Sequence, residues 1–173
     1  MKLYRFSPIE SKEQLLEAIT YTHFACHKLC KQSFGTDLPV AGNLAIFCHY
    51  DDEFDRLVTL RNELAEKSDN PSQKYFKLLE PIVMPAQENV PAATYTHLYI
   101  RPPDPYRHHV GDVDFHVEQN GYNELKLALA GGKPSKGARL FPRSDLDMIE
   151  LFDHDTDVLA YARTGSLTKG LNS

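Results

Sequence analysis

Asn43-Leu44-Ala45-Ile46-Phe47-Cys48-His49-Tyr50 is an almost unbroken apolar run, preceded by the connection Leu38-Pro39-Val40-Ala41-Gly42. Such a run suits a strand covered on both faces. Upstream, Ser11-Lys12-Glu13-Gln14 fits a capping box, with the hydroxyl on the N3 amide and the Gln side chain reaching back. Leu15, Ile19, Thr22, Cys26 and Cys30 then recur at helical spacing, with Leu16 and His23 beside them. Gly35 follows Phe34 and can take the left-handed position that ends the helix. Lys2 to Ser7 alternates and reads as a short strand. A strand, a long helix and a second strand imply a right-handed parallel crossover. Downstream, Asp51-Asp52 cap a second helix with Phe54, Leu57, Val58, Arg61, Leu64 and Ala65 inward, and Ser68-Asp69-Asn70-Pro71 stops it.

The texture changes after residue 70. Tyr75 to Met84 reads as a strand region, and Pro81 within it argues for an edge, a bulge or a break. Thr94 to Arg101 and Asp112 to Glu118 alternate cleanly around a proline-rich loop, 102–111. Gly121 to Ala130 is a short helix, ended by Gly131-Gly132. Asp147 to Phe152 and Val158 to Arg163 form a hairpin around Asp153-His154-Asp155-Thr156-Asp157. The last ten residues read as a frayed tail. The expected fold is α+β: a single compact domain over 1–173 with a mixed β-sheet. An N-terminal βαβα unit is followed by antiparallel strands and a short helix. A subdivision into 1–70 and 71–165 is the alternative.

Composition agrees with a globular chain. The 173 residues are 42% hydrophobic and 25% charged, with a formal net charge of −5. A chain of this length buries roughly 70% of its unfolded surface and needs no staples. No apolar run approaches a membrane span. The negative charge counts against general binding to DNA or anionic lipid. Three cysteines, Cys26, Cys30 and Cys48, make no disulfide framework, and the N-terminus lacks a secretory h-region. The expectation is a cytoplasmic protein with reduced thiols.

Function is sought on the two alternating strands. Paired as a hairpin with Leu98, Ile100, Val113, Phe115 and Val117 on the core, they would show Tyr95, His97, Tyr99 and Arg101 beside Asp112, Asp114, His116 and Glu118 on the other face. His97, Asp112, Asp114 and His116 are the donor types that hold zinc or another divalent metal with a water position open. Such a metal would generate hydroxide for hydrolysis, with His108 or His109 as general base or acid. Tyr95, Tyr99, Arg101, Tyr106 and Arg107 would bind a ligand: tyrosines stack on rings, and arginines take anions bidentately. A half-buried strand also carries polar residues on its outer face by default, and opposed Arg, Asp and His can be ordinary cross-strand pairs.

His23, Cys26, His27 and Cys30 share a helical side and are metal-ligand types, yet Cys26 and Cys30 also lie in the apolar stripe, where free cysteines pack as core. Cys48-His49 precedes a helix start but alternates to opposite faces, so the two cannot pair as thiolate and imidazole. The dinucleotide, P-loop, zinc-protease and serine-hydrolase motifs are absent. The first reading is therefore a small binding domain for an unidentified small-molecule or protein partner. A metal-dependent hydrolase and a single-stranded RNA-binding module that stacks bases on tyrosines are the alternatives.

Overall fold

A computed structural model describes residues 2–131, 137–141 and 148–165. The elements run α1 (Lys12–Phe34), β1 (Val40–Phe47), α2 (Asp51–Leu64), β2 (Phe76–Met84), β3 (Ala93–Arg101), β4 (Gly111–His116), α3 (Gln119–Ala130), β5 (Ala138–Phe141), β6 (Met148–Leu151) and β7 (Val158–Arg163). The seven strands form one mixed sheet in the order β2-β3-β1-β4-β7-β6-β5, an α+β arrangement. β1 pairs parallel with β3, and β4 parallel with β7; the other neighbours are antiparallel.

The first helix forms as its sequence directs. Ser11 Oγ accepts from the Gln14 amide, Gln14 Oε1 accepts from the Glu10 amide, and Gly35 closes the helix at φ 74° with its N–H on Lys31 O. That φ is left-handed, which glycine adopts without a Cβ penalty. Residues 2–7 form bends, and no strand is present there. The parallel crossover accordingly runs from β1 through α2 and β2 to β3, and not from residues 2–7 into β1. The second helix starts at Asp51 without a side-chain cap and ends at Leu64, well before Ser68. Glu53 does the local work. Its buried carboxylate accepts from the Ile9 and His49 amides, each at 2.8 Å, and ties the N-terminal segment to the start of α2.

Pro81 sits in β2, which is an edge strand with a register shift between Lys77 and Ile82. An edge tolerates the missing donor. The expected hairpin β6–β7 forms around residues 153–157. β5, a four-residue edge strand, has no clear signature in the sequence and was not expected. Residues 132–136, 142–147 and 166–173, which include Gly132 and most of the tail, lie outside the described residues.

β1 is where the reading of Asn43 to Tyr50 holds and where the hairpin reading fails. Residues 42–48 are buried or nearly so, as a strand covered on both faces must be. Its place is between β3 and β4, so those two strands are not paired with each other. β1 thereby also joins the N-terminal part to the C-terminal part within one sheet. One sheet face carries Leu44, Ile46, Leu98, Ile100, Val113, Phe115, Ile149, Ala160 and Ala162 against α1 and α2. The other, here the open face, holds a smaller cluster of Ala45, Phe47, Met148, Leu159 and Tyr161, with Tyr99 and Phe152 packed on it.

Candidate functional site

The open face is polar at its centre. Alternation along β4 sends Val113 and Phe115 to the helices and Asp112 and Asp114 to the open side. Alternation along β7 sends Ala160 and Ala162 to the helices and Leu159, Tyr161 and Arg163 to the open side. The register aligns His97 with Asn43, Asp114 with Tyr161, Tyr161 with Glu150, and Glu150 with Arg139. A row of polar and aromatic side chains therefore crosses the sheet, and Asp112 lies one step along beside Ala45 and Leu159.

These groups are buried. Asp112 is 5% exposed, Asp114 6%, Glu150 1% and Arg163 2%. Arg163 Nε is 3.0 Å from Asp114 Oδ2, and its NH2 donates to Asn43 Oδ1 at 3.2 Å. Arg139 donates to Glu150 Oε1, with Nε at 3.1 Å. Asp112 Oδ1 and Glu150 Oε2 are buried without a hydrogen-bond partner. Burial, and then the charge of Asp114, hold the Asp112 carboxyl well above the usual carboxylate range. Burial likewise pushes the phenols of Tyr75, Tyr99 and Tyr161 up.

Side chains from the flanking segments roof the face. Tyr75, just before β2, packs on Tyr99 with ring centroids 5.3 Å apart. Arg101 lies 4.8 Å over the Phe47 ring, and Arg139 5.0 Å over Phe152. The proline-rich loop contributes Asp104, which is 3.7 Å from Arg101 and 3.9 Å from Arg107. Tyr106 at its tip is 92% exposed. His108 and His109 stack at 4.3 Å, and His109 meets the edge of Phe47. Burial, with His108 next, brings His109 down to about 4.

Of the residues expected to line one face, Tyr99, Arg101 and His97 do share it. Tyr95 does not. It is 1% exposed, and its hydroxyl lies 2.7 Å from His23 Nδ1 on the helix side. Buried positions along β3 run Ala93 and Tyr95, then Leu98 and Ile100, so the alternation slips by one residue after Tyr95. The pairing with β2 shifts at the same place. A one-residue slip reverses which face a side chain takes. Tyr95 and Tyr99 therefore form no common platform for stacked bases.

The four residues expected to hold a metal are spread out. His97 bonds Thr96 Oγ1 at 2.9 Å on β3, and His116 bonds Glu118 at 3.2 Å at the far end of β4. β1 separates the two strands. Among the described residues no three His, Cys, Asp or Glu side chains gather into a metal-holding group. On α1, His23, Cys26, His27 and Cys30 are all buried, and the thiols of Cys26 and Cys30 donate to Leu159 O and Thr36 O. Burial pushes the Cys26 thiol up, and the Cys30 thiol up to about 11, so they serve as core. Cys48 is buried on the helix side, with its thiol also pushed up.

Asn43, Tyr75, Glu150, Tyr161 and Arg163 were not singled out from the sequence. The alternation Leu159, Tyr161, Arg163 was visible, but which face it turns toward Asp112 depends on strand order. A groove of 580 Å³ lies elsewhere, between α1 and the β6–β7 turn, lined by Phe24, Lys28, Leu29 and Asp155 among others. None of its described lining residues contributes an unpartnered buried polar atom, which the open face does.

No protein-family model matches the chain, and no curated protein does. Some solved structures align with part of the chain. A glyoxalase/bleomycin resistance protein/dioxygenase superfamily member from Vibrio splendidus 12B01 aligns with a TM-score of 0.39 and 8% identity, over 70% of this chain and 96% of that one. A methylmalonyl-CoA epimerase from Streptomyces coelicolor, in complex with 2-nitronate-propionyl-CoA, aligns with a TM-score of 0.36 and 13% identity, over 75% of this chain and 99% of that one. Likeness at this level carries no argument.

Proposed function

We propose that this chain is a small-molecule-binding domain whose site is the open face of the sheet around Asp112, Asp114, Tyr161 and Arg163, with Tyr75, Tyr99, Arg101 and Arg107 at its rim. One observation supports the reading above the others: two neighbouring carboxyl groups and an arginine are buried at mid-sheet, on the side that neither α1 nor α2 covers. Burying a charge is costly unless it is paired, and apolar residues of similar volume would serve a purely structural face at least as well. Perturbed titratable groups gathered in one place are the common mark of a binding or catalytic site.

The proline-rich loop fits a rim. Proline limits the backbone freedom that would be lost on binding. Arg101 and Arg107 both lie against the carboxylate of Asp104 at that rim.

The test is amide NMR of the full chain titrated with a panel of organic cations, small carboxylates and phosphates. Saturable shifts centred on β4, β7 and the 102–110 loop are the expected result. Shifts centred on the groove between α1 and residues 153–156, or none with any solute, would overturn the assignment.

A further inference from the structure

The outward side of α1 takes no part in the open face, because α1 covers the other side of the sheet. Residues three and four apart line up along a helix surface. Glu13, Glu17, Thr20, Phe24, Lys28 and Lys31 follow that spacing and form one ridge. All are exposed except Phe24, at the middle, which is half-buried. The ridge is acidic in its first half and basic in its second. A helix dipole favours acids in the first turn and bases in the last, but the effect falls off within that turn. It accounts for Glu13 and Lys31, which stand in the end turns, and not for Glu17 and Lys28, which stand further in. Glu17 and Lys28 have no ion pair among the described residues. Lys31 lies 3.8 Å from Asp37, and Arg5, over the Tyr21 ring, is paired with Asp157. Phe24 meets His23 edge-on and lines grooves on both sides of the ridge.

We infer that this ridge is a contact between two copies of the chain, with α1 laid antiparallel against α1 of the second copy about a two-fold axis at the level of residues 22 and 23. Glu17 of each copy then meets Lys28 of the other, and Glu13 comes beside Lys31 of the other. Phe24 of each copy meets Thr20 and Tyr21 of the other. Those two residues line a shallow groove of 570 Å³ together with Phe6 and Leu16, and Glu13 and Glu17 stand on its rim. A two-fold contact needs a patch that is complementary to itself. An acidic half, an aromatic middle and a basic half provide one. A parallel pairing would set acid against acid, and a partner of one charge sign would be repelled by one half of the ridge. Asp153 and Asp155 stand across a second groove from Lys28 and form no ion pair with it among the described residues, so its ammonium is left for the second copy. Both open faces stay free in such a pair, because α1 lies behind the sheet.

The experiment is sedimentation velocity of the full chain over a concentration series, with charge-reversal variants. One helix pair makes an interface at the small end of the usual range, so the parent should dimerise at about 10–100 μM. Glu17→Lys brings like charges together twice by symmetry, and so does Lys28→Glu, and each should weaken the dimer about tenfold or more. An equimolar mixture of these two variants should pair again, because each then supplies the charge the other lacks. Phe24→Ala should weaken the dimer without touching a charge. All three positions face outward, and an unchanged far-UV spectrum checks that each variant is folded. A parent that stays monomeric up to its solubility limit overturns the inference. So does a dimer that neither charge reversal weakens, which places the contact elsewhere. Two weakened variants that fail to pair in the mixture overturn the antiparallel arrangement and the inference with it.

Discussion

Arg163 Nε lies 3.0 Å from Asp114 Oδ2 on the neighbouring strand, with both side chains less than a tenth exposed. The pair spans the parallel β4–β7 junction at the centre of the sheet. Removing one partner takes a buried charge away from its counter-ion. Arg163→Met should therefore cost about 3–5 kcal/mol. The double variant Arg163→Met/Asp114→Leu should recover most of that loss, because apolar residues of similar volume replace buried pairs at little cost. Urea unfolding of both variants measures it, and a double variant no better than the single would show that the pair is held for more than mutual neutralisation.

Asp112 makes stability fall as pH rises. Its carboxyl is held above the usual range by burial and by Asp114. In the unfolded chain an aspartate ionises near about 3.9. Above that pH the unfolded state has lost a proton that the native state keeps, so its contribution is full below about 4 and is lost as pH climbs through the native value. Asp112→Asn should be more stable than the parent at pH 7, with a flatter profile from pH 5 to 8. Parallel profiles would mean that the carboxyl is ionised in the native protein.

His23 acts with the opposite sign. Burial, with His27 next, brings it down to about 4, whereas an unfolded histidine titrates near about 6.5. As pH falls below 6.5 the unfolded chain takes up a proton that the native core refuses. On the order of 3 kcal/mol should be lost by pH 4. His27, also lowered by burial, adds to the effect. His23→Gln should flatten this acid limb, and an unchanged limb would move its origin to other groups.

Gly111 admits no side chain. A Cβ there would sit 2.3 Å from the Ala45 carbonyl oxygen of β1. Backbone cannot yield as a flexible side chain can, so Gly111→Ala should cost about 3 kcal/mol and displace the start of β4, with Asp112. A neutral result in thermal unfolding would show that β1 and β4 can separate locally without loss.

Much of the architecture was legible because its signals are local. The Ser11 cap, the Gly35 stop, the apolar stripe of α1, the edge character of the strand with Pro81 and the β6–β7 hairpin all follow from propensity and period over a few residues. Residues 2–7 misled because a few alternating residues cost nothing to leave as bends when Ser7, Ile9 and Arg5 find partners in His49, Glu53 and Asp157. Those partners are distant in the chain.

The site was half legible. Tyr99, Arg101 and Arg107 were singled out as ligand-binding residues and Asp112 and Asp114 as metal ligands, and these five lie around one face without forming the expected metal group. The assignment of Tyr95 to that face failed at a one-residue slip that depends on pairing with β2. The grouping of His97 with His116 failed because β1 enters between their strands.

The sequence by itself determined the three helices, most of the strands and the apolar side of β4 and of the second half of β3, since side-chain period and end signals are properties of neighbouring residues. Only the tertiary structure decided that β1 separates β3 from β4, that β7 brings Arg163 to Asp114, and that Asp112 Oδ1 is buried without a donor. Strand order is set by how two sheet faces are covered at once. That balance is reached among residues far apart in the chain, as in the bond from Arg163 to Asn43, 120 positions away.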